Sequence, residues 1–143
     1  MTDLTTRTFA SVSVGEALPV VTYPLTVHRL VVAAGSTRDH TAIHHNDDHA
    51  RATGAPGMYA SAILLQGMWE RSVRDWAGPG ARIAALRGFR MRRFTVVGSL
   101  VEVHGEVVSL QPSRSGGLVE LAMSTVVDGT ITVGPGSVLV ALD

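Results

Sequence analysis

Apolar positions recur at helical spacing in the first half of the chain and gather into short β-branched runs in the second. In "PLTVHRLVVAAG" the spacing predicts a short helix over 27–34, with Thr26 as N-cap and Gly35 as the stop. A polar loop follows. "NDDHARATG" then predicts a helix of one or two turns, with capping residues at Asn46 and Asp47 and a glycine stop at Gly54. The longest periodic segment, 58–76, is apolar almost all round up to Leu65 and then carries Leu65, Met68, Trp69, Val73 and Trp76 on one face. This is the expected central helix, its first half surrounded by protein. Glu70 and Arg74 stand four apart on its polar side, and "AGPGA" ends it.

Beyond Gly80 the pattern predicts strands over 82–96, 100–110, 118–127 and 130–142. "PSRSGG" reads as a loop at 112–117, and Asp128-Gly129 between two apolar runs is a hairpin signal. No repeat or linker divides the chain. The expected architecture is one α+β domain over 1–143, an antiparallel sheet wrapped around the long helix.

Composition narrows the chemistry. Formal charge is zero, so no overall field recruits nucleic acid or an anionic membrane. Cysteine is absent, which removes disulfides, thiol nucleophiles and thiolate metal sites. All twelve basic residues are arginine, which excludes lysine Schiff bases and Gly-Lys phosphate loops. No G-x-S-x-G elbow occurs. The N-terminal stretch "MTDLTTRTFASV" has no basic segment followed by an apolar core, and no apolar run approaches the roughly 20 residues of a spanning helix. A cytoplasmic protein is the expectation, with histidine and carboxylate carrying any proton chemistry.

Those residue types concentrate in "DHTAIHHNDDHA", which holds four of the six histidines and three of the twelve acidic residues. Asp39 and His44 supply a carboxylate and an imidazole suited to general acid–base work near neutral pH. The same residues also suit a capped turn with a packed histidine. His40 and His44, and separately His45 and His49, have the four-residue spacing of two metal ligands on a helix, but no H-E-x-x-H glutamate accompanies them. No metal is expected. His45, Asp47, Asp48 and His49 then read as loop and capping residues, with His45 a weaker candidate for lining a pocket.

The segment "RDHTAIHHNDDHARATG" resembles the D-x-N-P-x-H-x-D stretch of the MaoC-like (R)-specific enoyl-CoA hydratases, a branch of the hot-dog fold. "RDWAGPGARI" resembles small actinobacterial members acting on acyl-CoA esters in steroid side-chain breakdown. The resemblance implies that Asp39 and His44 form the catalytic pair, sharing one water for syn addition to a 2-enoyl thioester. It also implies that the backbone N–H of Ala62, at the position of a family glycine, polarises the thioester carbonyl. No cofactor is implied. The family's Asn-Pro is Thr41-Ala42 here, and its Gly-Asp is Gly98-Ser99.

Within "RGFRMRR", Arg90 and Arg92 are candidates for the phosphates of coenzyme A. Alternation opposite Phe89 and Met91 equally describes a solvated sheet face. Trp69 and Trp76 read as core or interface anchors, while His28 and His104 receive no role. The expected partners are an acyl-CoA substrate and a second hot-dog chain, in a homodimer or a heteromer. A non-catalytic supporting subunit, a hot-dog thioesterase and a histidine-cluster metal domain stay open as rival readings.

Overall fold

Turn chemistry decides where the strands of this chain begin and end. In the computed structural model, which describes residues 5–143, Asp128 (φ 48°) and Gly129 (φ 74°) form the left-handed pair of a two-residue hairpin turn. This turn joins β4 (Gly116–Val127) to β5 (Thr130–Leu142), with Val127 opposite Thr130. The loop expected at 112–117 contracts to another tight turn, because β3 (Leu100–Ser113) pairs with β4 as far as Ser113 opposite Gly116. Gly116 is required there: at φ 105° a Cβ would lie 2.1 Å from the Leu142 carbonyl oxygen.

Two shorter strands complete the sheet. β1 (Val21–Pro24), which the hydrophobic pattern did not predict, pairs with β3, and β2 (Arg82–Arg87) pairs with β5. The order is β1-β3-β4-β5-β2, antiparallel throughout. The strand expected over 82–96 stops at Arg87. Gly88 turns at φ 63°, and the backbone there lies so close to Gly136 that a Cβ on Gly136 would meet the Arg87 carbonyl oxygen at 2.5 Å. The predicted alternation of Arg90 and Arg92 against Phe89 and Met91 therefore fails. Past Gly88 only single bridges remain, Met91 with Val133 and Tyr59 with Val96.

Three α-helices precede or accompany the sheet. In α1 (Val27–Thr37) the Thr26 hydroxyl accepts the Arg29 N–H, as the sequence predicts. The helix passes through Gly35 and ends three residues later than predicted, at Arg38 in the left-handed region (φ 56°). In α2 (Asp47–Ala52) the Asn46 side chain accepts the His49 N–H, and Gly54 follows at φ 94°. The central helix α3 (Ala62–Ala77) starts four residues after the expected Met58, because Ser61 is its N-cap and accepts the Leu64 N–H.

The burial of α3 also differs from the pattern's promise. Leu65, Met68, Trp69 and Val73 join the valines and leucines of β3–β5 in one buried cluster. Each such side chain contributes about 1.5–3 kcal/mol through removal from water. The Trp69 indole N–H donates to the buried Thr125 hydroxyl at 2.8 Å. The first turn, however, is not surrounded: Ile63 is 53% exposed. Among the described residues no helix is long and apolar enough to cross a membrane. The first four residues of the expected domain lie outside those described.

Candidate active site

Asp39 and His44 are brought together by a tight turn between α1 and α2. The left-handed Arg38 releases the chain from α1, and after Asp39, His40 and Thr41 a 3₁₀ turn, Ala42–His44, follows. The His44 N–H closes this turn on the Thr41 carbonyl at 3.1 Å. His44 is buried, and its Nε2 stands 3.5 Å from Asp39 Oδ2. That separation is longer than an ordinary hydrogen bond, and the two atoms are close enough for one water beside them to bond both.

Each member of the pair has a holder. His44 Nδ1 lies 2.8 Å from the Tyr59 carbonyl oxygen. That oxygen can only accept, so Nδ1 carries the proton and Nε2 faces Asp39. The Tyr59 ring adds an edge contact at 5.3 Å and 82°, and the Tyr59 main-chain N–H donates to the Ile43 carbonyl at 3.3 Å. Asp39 Oδ1 accepts the Thr41 hydroxyl at 2.8 Å and the Thr41 N–H at 3.4 Å. The Thr41 hydroxyl is the main reason that the Asp39 carboxyl is held below its ordinary value of 3.8; burial opposes it, and the neighbouring His44 and His40 add to the lowering.

Tyr59 stands between His44 and a cleft that neither Asp39 nor His44 itself lines. Its ring lies against Phe94 at 4.8 Å, and both line an opening of about 630 Å³ with Pro56, Met91, Arg92 and Arg93. Of the two arginines singled out from sequence, Arg92 lines this cleft and Arg90 does not. The Arg92 Nε–H donates to the Gly134 carbonyl, which fixes its stem. Arg93, which the sequence reading passed over, stands beside it. Ala62 is the first residue of α3, three positions beyond Tyr59. With Leu64 capped by Ser61, the N–H groups of Ala62 and Ile63 are the start-of-helix donors left without an intrahelical partner.

The remaining histidines do not converge. His45 Nε2 contacts the His40 carbonyl oxygen at 3.1 Å on the exposed side, and His45 does not line the cleft. Among the described residues no group of three or more histidine and carboxylate side chains is placed to hold a metal ion. Asp47 is a structural tie: its carboxylate accepts the Arg51 Nε–H at 2.8 Å and the Met58 N–H at 2.9 Å, joining α2 to the segment that carries Tyr59.

No family model matches the chain. A curated relative, the 3-oxo-4,17-pregnadiene-20-carboxyl-CoA hydratase beta subunit of Mycobacterium tuberculosis, is 33% identical over 81 residues, 57% of this chain and 62% of that protein. The match thus spans less than two thirds of the relative's length. Among solved structures, the ChsH1–ChsH2 complex of Mycobacterium tuberculosis superimposes with a TM-score of 0.84 at 27% identity, covering 92% of this chain and 98% of the matched one. A MaoC-like dehydratase gives a TM-score of 0.86 at 25% identity, over 96% of this chain and 43% of that one. The chain has the MaoC-like hot-dog fold. At 19% identity, the (R)-hydratase PhaJ1 of Pseudomonas aeruginosa shares that fold with a TM-score of 0.84, covering 96% of this chain and 86% of its own.

Within this hot-dog fold the departures from the expected motif have visible consequences. Thr41, standing where the family pattern has Asn, bonds Asp39 through its hydroxyl. Its role in holding the carboxylate was not anticipated, although a threonine two residues after an aspartate is a recognisable local hydrogen-bonding signal. Tyr59 holds His44 through its main chain, which no side-chain motif could reveal.

Proposed function

We propose that this chain is a hydratase of the (R)-specific enoyl-thioester type, acting on 2-enoyl-CoA. The observation that carries the reading is the pair Asp39 Oδ2 and His44 Nε2, 3.5 Å apart, with the Tyr59 ring standing between His44 and an apolar cleft rimmed by arginine. In the proposed reaction the oxygen of a water held beside the two side chains bonds to the β-carbon while Asp39 takes its proton. The α-carbon receives a proton from His44 Nε2. With Nδ1–H already committed to Tyr59, an acid at Nε2 must be the imidazolium, and the Asp39 carboxylate is its counter-ion. Proton return from Asp39 to His44 restores both groups. Because the water oxygen and the α-proton arrive on the same face, addition is syn. The enolate oxygen is received by the Ala62 N–H, where the positive end of α3 favours developing negative charge.

The cleft offers a place for the carrier, with Arg92 and Arg93 as partners for coenzyme A phosphates. Arg90 and His45 stay outside it. The relative's pregnadiene-carboxyl-CoA substrate supports a bulky, steroid-derived acyl group for this chain too. Assembly with a second hot-dog chain, identical or different, is part of the proposal, supported by the two-component complex among the structural neighbours. That neighbour, with a relative named as a beta subunit, also favours a second reading, in which the chain supports a paired enzyme without performing the chemistry.

Steady-state hydration of 2-enoyl-CoA, with and without a partner chain, separates the two. Asp39→Asn and His44→Ala are each expected to lower kcat by roughly 10²- to 10⁴-fold with the fold intact. An assembled enzyme whose rate ignores Asp39→Asn supports the non-catalytic role instead. Release of free coenzyme A in place of a hydroxyacyl product points to a thioesterase.

A further inference from the structure

We propose that Thr41 is a positioning residue that commits one carboxylate oxygen of Asp39 and leaves Oδ2 as the oxygen that accepts the proton from water. The second half of this proposal rests on the hydratase reading; the first does not.

Thr41 is bonded to both members of the pair. Its carbonyl accepts the His44 N–H at 3.1 Å, closing the turn that carries the imidazole. Its hydroxyl donates to Asp39 Oδ1 at 2.8 Å. A generic turn in which the aspartate merely accepts the main-chain N–H two residues on would make the N–H contact the short one. Here the order is reversed: the N–H lies at 3.4 Å and the hydroxyl at 2.8 Å. A carboxylate accepts through both oxygens, so a donor fixed on Oδ1 sets the plane of the group and turns Oδ2 toward Nε2, 3.5 Å away. Thr41 is suited to this because branching at Cβ stiffens χ1. The backbone contact to His44 survives any substitution, so changes at this side chain leave it in place.

Thr41→Val keeps the shape and removes the donor, whereas Thr41→Ser keeps the donor and loses the stiffness. The experiment follows the Asp39 carboxyl by ¹³C NMR titration of the full chain, in its assembled form, for wild type and both variants. His44 and His40 are the titratable groups facing Asp39, and neither variant alters them. The expected result is a midpoint that rises in Thr41→Val and stays near wild type in Thr41→Ser. The acid limb of kcat/KM should rise in parallel, with kcat lower by up to roughly 10²-fold in Thr41→Val, partial recovery in Thr41→Ser and little change in KM. A Thr41→Val protein that remains folded and titrates as wild type overturns the proposal. If Thr41→Val does not fold, Thr41→Ala is read against Thr41→Ser by the same criterion. Absence of hydration in every protein, with the NMR shift present, removes the hydratase reading and the proton-accepting role of Oδ2 but leaves the anchoring of Asp39 standing.

Discussion

His44 has two ring nitrogens with different obligations. Nδ1 is held by a main-chain carbonyl that only accepts, and Nε2 faces a carboxylate that, when ionised, also only accepts. In the neutral ring one nitrogen must lack a proton. The Tyr59 carbonyl at 2.8 Å is a hydrogen-bonded partner, whereas Asp39 at 3.5 Å lies beyond an ordinary hydrogen bond and competes weakly for the proton. Neutral His44 is therefore expected to carry its proton on Nδ1. Long-range ¹⁵N–¹H correlation at a pH where the ring is neutral checks this directly, and a dominant Nε2–H form contradicts the arrangement. No mutation of Tyr59 removes its carbonyl, so the tautomer should persist in Tyr59→Phe.

At the scale of elements, hydrophobic spacing anticipated those whose ends are marked by local chemistry. Thr26, Asn46 and Ser61 cap through their own side chains, and Asp128-Gly129 turns a hairpin by its own backbone preference. Of these caps Ser61 was not read, because the apolar run continuing back to Met58 hid it. The failures have other causes, of which one is contact distant in sequence. β2 stops at Arg87 because Gly136, far along the chain, presses against the turn at Gly88. α1 runs through Gly35 and takes its left-handed stop at Arg38 instead. β1 is only four residues long and ends in proline, too short for a period to show. Asp39 and His44 stood out through the family resemblance, since their types and spacing equally fit a capped turn, and the groups that hold them, a hydroxyl and a carbonyl, did not stand out at all. The tie between α2 and the segment before α3 exposes the same dependence to experiment. A Cβ on Gly57 would meet Asp47 Oδ1 at 2.7 Å and Val96 Cγ1 at 3.3 Å. Gly57→Ala must therefore displace the carboxylate that holds the Met58 N–H. A loss of about 1–3 kcal/mol in urea unfolding is expected, and an unchanged midpoint would show that the segment leading to Tyr59 needs no such anchor.

Across the whole molecule, the strap ahead of β1 binds the helix to the sheet. The Arg7 N–H donates to the Ala77 carbonyl at the end of α3, and the Phe9 N–H donates to the Asp143 carbonyl beyond β5, both at 2.8 Å. Farther along, the Val107 N–H of β3 donates to the Glu16 carbonyl at 2.9 Å. The side chains converge on one knot. The Arg7 guanidinium lies 4.7 Å over the Trp76 ring and bonds Glu16, while the Trp76 indole N–H donates to Glu16 Oε1 at 2.9 Å. The Arg7 hydrogen bond is the principal cause that holds the Glu16 carboxyl below its ordinary value of 4.5; burial opposes it, and Trp76 adds to the lowering. A depressed pKa in the folded state means that the unfolded chain binds the proton more readily. The stabilisation is thus fully present above the ordinary value of 4.5 and is lost as pH falls through the lower, folded value. Glu16→Gln removes this dependence while retaining an acceptor for Trp76. Thermal unfolding measured across acid pH should show wild type losing its advantage over Glu16→Gln as the solution is acidified, with the two curves converging at the acid end. Parallel curves would mean that the knot contributes no proton-linked stability and that the strap is held by its main-chain bonds alone.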